Sequence, residues 1–256
     1  MSDAAPGLFR IEGLRFRVWP VLFTALLGFG IPPLASLTVP IVEHFTALPE
    51  RPEMPWIAGS YVQAVQLVYA LIAIALLKPM IRADFGLHRP RGKSYVRAAI
   101  LWGVFLGLLM TAVDYLPQIL AHRPPADKPY PLTELNLAGW FSFEGLVVGP
   151  TDETLFRGLL VTYLAATLPG RISFRRYEMG VAGVIVALIL ALPYVADFFT
   201  RTMLIALGGM FYTFVLGVLL AYWFEKSQSL LAPIVGHGVS SLMKIALIFA
   251  MVALWH

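Results

Sequence analysis

LAGWFSFEGLVVGPTDETLFRGLLVTYLAATL, Leu137–Leu168, is apolar enough along most of its length to lie in a lipid bilayer, yet its middle carries Asp152, Glu153 and Arg157. A charged side chain at a membrane midplane costs about 2.5–3.5 kcal/mol on insertion scales, so chains keep such groups mainly where they do chemistry. The run Asp152-Glu153-Thr154-Leu155-Phe156-Arg157-Gly158 is therefore the place to look for function. The segment is also too long for one perpendicular crossing. Gly149-Pro150, just before the acidic pair, predicts a kink or a re-entrant bend.

The rest of the chain has the same character. Of its 256 residues 59% are hydrophobic and 13% charged, far from the balance of a soluble domain. About 20 apolar residues cross the ~30 Å hydrocarbon core as a helix. That criterion predicts an all-α polytopic membrane bundle with seven transmembrane helices, or eight if one is broken or missed: Val18–Val42, Trp56–Leu77, Ala98–Leu120, Leu137–Leu168, Met179–Phe199, Met203–Phe224 and Leu230–Trp255. The first span is too long for the apolar part of a signal peptide and reads as retained. With no internal repeat and no long linker, residues 1–256 form a single membrane domain.

Charge sets orientation and excludes one class of partner. The N-terminal tail and the second, fourth and sixth loops hold thirteen Lys and Arg, against four in the other loops, which predicts a cytoplasmic N-terminus; the expected location is a bacterial inner membrane. Basic residues distributed in this way are topology signals, so the net charge of +4 does not indicate nucleic acid. The partners expected are membrane lipids and a membrane-associated protein or peptide. Cysteine is absent, which removes thiolate nucleophiles and Cys-ligated metals. Trp19, Trp56, Trp140, Trp223 and Trp255, near span ends, suggest an aromatic belt.

On a helix Glu153 and Arg157 are one turn apart and can pair, whereas Asp152 lies about 100° around the axis, so the two acids can do different work. A buried ion pair that only locks helices together is the plain alternative. In the last span, Ala232-Pro233-Ile234-Val235-Gly236-His237-Gly238-Val239-Ser240-Ser241 holds the one histidine placed within a hydrophobic segment. His44, His88, His122 and His256 fall in loops or at the terminus. Ser241 and Lys244 continue the His237 face at i+4 and i+7. At ~1.5 Å per residue, Glu153 lies on the order of 22 Å from the cytoplasmic end of its span and His237 on the order of 10 Å from the end of its own. On that count the two groups differ in depth.

These motifs resemble those of the CAAX prenyl protease and bacteriocin-processing (CPBP) intramembrane proteases, also called Abi proteins. The family's Glu-Glu-x-x-x-Arg motif, continued as Phe-Arg-Gly, is matched by Asp152 to Gly158 with Asp for the first Glu. Its His-x-x-x-Asn/Asp motif, after Ser-Leu-x-x-Pro-Ile, is similar to Ser229-Leu230-Leu231-Ala232-Pro233-Ile234 followed by His237 and Ser241. The likeness covers about residues 137–245. The family's Phe-x-x-x-His motif is where the chain departs: Leu190-Ala191-Leu192-Pro193-Tyr194 stands at that place, with Tyr194 for the histidine.

The resemblance implies an intramembrane endopeptidase that hydrolyses a membrane-associated protein or peptide. In it Glu153 is general base on water, Arg157 orients the acidic pair and Asp152 is a supporting or ligand carboxylate. His237 polarises the scissile carbonyl or binds a divalent metal such as Zn, Ser241 donates to the oxyanion, and Tyr194 substitutes as a proton or hydrogen-bond donor. Two other readings remain. A catalytically inactive membrane binding or scaffold protein is suggested by Tyr194, and a transporter by Asp114, Glu144 and Lys244 within spans. Asp197, three residues beyond Tyr194, reads as an interfacial pair with Arg201 rather than a ligand.

Overall fold

The computed structural model describes residues 9–46, 54–125, 131–175 and 177–255. The loop residues Glu50, Arg51 and Glu53, the basic Arg176 and His256 lie outside them. Among the described residues six helical segments are long and apolar enough to cross a membrane: Val18–Ile41, Pro55–Ile81, Val96–Asp114, Val181–Phe199, Met203–Ser227 and Leu231–Leu254. In chain order the α-helices are α1 (Val18–Ser36), α2 (Val39–Thr46), α3 (Pro55–Ile81), α4 (Val96–Asp114), α5 (Leu116–Ala121), α6 (Glu134–Ser142), α7 (Gly149–Glu153), α8 (Thr162–Thr167), α9 (Val181–Ala191), α10 (Met203–Ser227) and α11 (Leu231–Leu254).

The expected seventh crossing, Leu137–Leu168, takes a different form from the other six. Residues 134–167 form one unbroken helical run in which α6, α7 and α8 alternate with two π-helical stretches, Phe143–Val148 and Thr154–Val161. It is set apart by its polar cargo of Glu144, Asp152, Glu153 and Arg157. The run does not turn back at Gly149-Pro150, as a re-entrant bend requires. Val148, Gly149 and Thr154 all keep right-handed helical angles. The wider π turn just ahead of Pro150 accommodates a residue that has no N–H to give. Nearby carbonyls are shared with threonine hydroxyls: Thr151 Oγ1 donates to Val147 O at 3.0 Å and Thr154 Oγ1 to Pro150 O at 2.7 Å.

The run is the central element, with α1, α3, α9 and α11 packed around it. Toward its C-terminal end Leu155, Leu159, Leu160 and Leu164 are buried against Ile74 and Val186. Toward its N-terminal end Trp140 joins Tyr115, Ile245, Ile248 and Phe249. Trp140 and Trp223 are therefore core residues, and Trp56 donates to Asn136 Oδ1 at 3.1 Å, so of the expected aromatic belt only Trp19 is fully lipid- or water-facing. His44, expected in a loop, falls within α2.

Small residues let α11 approach its neighbours closely. A Cβ on Gly103 of α4 would lie 2.7 Å from the Gly236 carbonyl oxygen, and one on Gly107 would lie 2.5 Å from that of Ser240. On the other side a Cβ on Gly149 would meet Ile234 O at 2.8 Å, and one on Gly238 would meet Gly145 O at 2.8 Å. Helices in lipid associate through such close packing, because acyl chains leave little hydrophobic drive between them. Gly236 and Gly238 thus seat α11 between α4 and the central run, with His237 between the two contacts.

A small antiparallel sheet, outside the expected all-helical picture, lies at the basic-loop end. The strands β1 (Phe9–Glu12), β2 (Arg171–Phe174) and β3 (Tyr177–Gly180) pair in that order. Strands of four residues carry too little periodicity to separate them from loops. Glu225 at the end of α10 fastens the hairpin, accepting from Arg171 at 2.7 Å and from the Gly180 N–H at 2.6 Å.

The close approach of α4 and α11 gives the first prediction. Gly103→Ala forces the helices apart and lowers stability by about 1–3 kcal/mol. Gly30→Ala, at a position with nothing within 4 Å, is neutral or slightly stabilising. Thermal unfolding in detergent checks this, and equal behaviour of the two variants would contradict the packing described.

Candidate functional site

The helical run places Glu153 at the end of α7 and Arg157 one turn on, inside the second π stretch. Arg157 Nη1 donates to Glu153 Oε1 at 2.9 Å, and Nη2 donates to the Gly217 carbonyl at 3.1 Å. Gly217 is where α10 packs closely on α9, since a Cβ there would lie 2.9 Å from that of Ala187. His237 Nδ1 lies 2.8 Å from the same Glu153 Oε1. The carboxylate is 0% exposed and the guanidinium 3%, so charge and countercharge are buried together.

Asp152 has a different environment, as its position around the helix requires. Its Oδ1 accepts from Gln66 Nε2 of α3 at 2.8 Å, and its Oδ2 lies 3.9 Å from His237 Nε2. His237 therefore has one ring nitrogen on Glu153 and the other turned toward Asp152, with its side chain 20% exposed. The difference in depth expected from span lengths does not hold. Gly158 lies beside Leu230 and the Phe85 carbonyl, so the last crossing begins level with Gly158 rather than with Leu168. The run 159–167 extends beyond the start of α11, and that offset brings His237 up to Glu153.

In front of these groups is a cavity of about 250 Å³, lined by Asp152, Arg157, Tyr194, Tyr212, His237 and Ser241 among others. Of the residues singled out in the sequence, Asp152, Arg157, His237, Tyr194 and Ser241 reach this cavity, and Glu153 stands directly behind His237. Leu190 and Tyr194 both line it, one from α9 and the other from the 3-10 turn Leu192–Phe199 started by Pro193. The Tyr194 ring rests on Gly209, where a Cβ would come within 2.7 Å. Asp197 is not among the lining residues and stands 3.9 Å from Arg201, as an interfacial pair would.

Two contributors escaped the sequence. Gln66 orients Asp152, and its amide, three residues after that of Gln63 in a mostly apolar span, was its one signal. Tyr212 of α10 reaches the cavity and shares a hydrogen bond with Ser240, but nothing in Phe211-Tyr212-Thr213 distinguishes it from packing. Glu144, noted in the sequence for its place within a span, lies near Ser241, Lys244, His237 and Asp152, so it and Lys244 belong to one polar cluster.

Two atoms of the site's buried ion pair stand without partners among the described residues. Glu153 Oε2 and Arg157 Nε are buried without a hydrogen bond. Buried polar atoms are nearly always satisfied, and an orphan in a polar site marks a place for water or substrate. The donors suit water better than a metal. A catalytic zinc takes three protein ligands, and among the described residues no group of three or more His, Asp or Glu side chains is placed to hold an ion. Glu153 Oε1, the best-placed ligand atom, is already held by Arg157 and His237.

No curated protein and no solved structure matches the chain. A family model does: the one described as type II CAAX prenyl endopeptidase Rce1-like matches residues 134–243, from the start of the central helical run through most of the His237 helix. Every cavity residue named above falls within that stretch. Over residues 134–243 the chain is thus similar to the Rce1-like type II CAAX prenyl endopeptidases, in line with the resemblance its motifs carry.

Proposed function

We propose that the protein is an active intramembrane endopeptidase that hydrolyses a peptide bond of a membrane-associated protein or peptide within the His237 cavity. The observation that carries this reading is the hydrogen bond at 2.8 Å between His237 Nδ1 and the buried Glu153. A carboxylate on one ring nitrogen fixes the tautomer, leaving the other as an acceptor toward the substrate side. His237 Nε2 is the nitrogen nearer Asp152, which lines the cavity.

In this mechanism water in the cavity attacks the carbonyl carbon of the scissile bond while His237 Nε2 takes its proton. Glu153 stabilises the imidazolium that forms, and Arg157 holds Glu153 in place. The proton then passes from His237 to the leaving amine nitrogen as the C–N bond breaks. Tyr194 and Ser241, which line the same cavity, supply hydroxyl donors to the oxyanion. Glu153 serves the base chiefly through the imidazole, since Oε1 is taken and the residue is fully buried. Its unpartnered Oε2 is the second acceptor for an ordered water. Asp152, held by Gln66, positions the incoming water or amine. We place the N-terminus on the cytoplasmic side, where the basic loops lie.

Glu153→Gln and His237→Gln each lower cleavage of a membrane-associated peptide by at least ~10²-fold in reconstituted protein, in line with the worth of a general base. Asp197→Asn leaves the rate within about twofold. Persistence of hydrolysis in both site variants would remove the assignment.

The donor set gives a second expectation. Cleavage survives prolonged chelation followed by gel filtration, whereas loss of activity that added zinc restores would show that a metal completes the site.

Tyr194 also allows the reading of an inactive scaffold, and one substitution separates the two. Tyr194→His leaves an active enzyme within about tenfold of its starting rate. Activity that arises only in the Tyr194→His variant would establish that the natural chain is silent.

A further inference from the structure

Outside the peptidase site, a second cavity lies where α3 leaves the apolar region. It measures about 410 Å³ and is bounded by Lys78, Arg82, His88 and Arg91, with Asp84 among them. Its floor is apolar: Ile74 and Phe85 are 5% and 3% exposed. The left-handed turn at Arg82, φ 47°, ends α3 and leads the chain back over the cavity.

The charges do not cancel. Asp84 is the one carboxylate among the lining residues, and it is used internally, bonded to His88 Nε2 at 2.8 Å and to Arg91 at 2.9 Å. Burial opposes its charge, but the Gly86 N–H, His88 and Arg91 outweigh that and hold its carboxyl below the ordinary value. His88 has acceptors on both ring nitrogens, the Arg89 carbonyl and Asp84, and these hold its pKa above the ordinary value. Among the described residues no carboxylate pairs with Lys78 or Arg82. The cavity therefore offers unneutralised cations above an apolar floor, at the end of a membrane-spanning helix.

Beside it Leu87, which lines the cavity, is 54% exposed, and Leu71, two turns before Lys78 on the same face of α3, is 40% exposed. A free inorganic anion would use the cations and leave the apolar floor and flank unused. An anionic phospholipid uses both, with phosphate on the cations and glycerol and acyl chains along α3. We propose that this cavity is a binding site for the headgroup of an anionic phospholipid.

The site has a structural connection to the rest of the molecule. Its loop is fastened to the entry of α11: Ser229 Oγ donates to the His88 carbonyl at 2.5 Å, and the Leu230 N–H donates to the Gly86 carbonyl at 3.0 Å. An occupant that steadies the loop steadies the start of the helix that carries His237.

Thermal stability of the full chain in a neutral detergent is the test, with phosphatidylglycerol, phosphatidylcholine and inorganic phosphate as probes. Phosphatidylglycerol raises the unfolding temperature in a saturable way, and Lys78→Gln with Arg82→Gln weakens its apparent affinity by about tenfold or more. Lys226→Gln, a basic position outside the cavity, leaves that affinity unchanged. An equal response to phosphatidylcholine, or an unaltered response in the double variant, would overturn the site. The same saturable shift with inorganic phosphate alone would overturn the lipid and leave a plain anion site.

Discussion

A buried carboxylate in a membrane protein must be given partners, and Glu153 is given two. Arg157, one turn along the same helix, supplies the countercharge, and His237, from the last crossing, supplies a ring nitrogen on the same oxygen. Removing one member of such a buried pair typically costs about 3–5 kcal/mol, because the remaining charge is left uncompensated. The central helical run and α11 are therefore joined through polar atoms as well as packing. That bond also holds the imidazole in the orientation proposed for catalysis.

Backbone geometry makes the contact attainable. Without Gly103, Gly107, Gly149 and Gly238, α11 could not lie so near both α4 and the central run. The two π stretches flank α7 and let the run pass Pro150 without turning, while hydroxyls of Thr151 and Thr154 take up nearby carbonyls. π-helical turns inside α-helices often accompany functional sites. Here they bracket the acidic pair.

Much of this was legible in the sequence because charge in an apolar segment is rare and conspicuous. Asp152, Glu153, Arg157 and His237 stood out for that reason, and the helical period put Ser241 and Lys244 on the His237 side, where the cavity holds them. Tyr194 was located through a family motif alone. What escaped depends on the third dimension. Counting residues from span ends placed Glu153 and His237 at different depths, because such counting assumes that all helices end at one plane. The central run extends past the level at which α11 starts. The expectation of a kink or re-entrant bend at Gly149-Pro150 also overlooked that the segment alternates between α and π geometry. Gln66 and Tyr212 are residue types common in packing, and only their directions reveal that they belong to the site.

The central claim is that His237 Nδ1 is hydrogen-bonded to Glu153 inside the folded protein. Nitrogen-15 NMR of histidine-labelled protein in detergent or nanodiscs tests it, with the His237 signal assigned by its loss in His237→Gln. The account predicts a proton on Nδ1 in a strong hydrogen bond, slow to exchange with water, whose resonance moves in Glu153→Gln and stays in place in Asp197→Asn. A His237 ring that exchanges as fast as the loop histidines, or a resonance indifferent to Glu153→Gln, would contradict it.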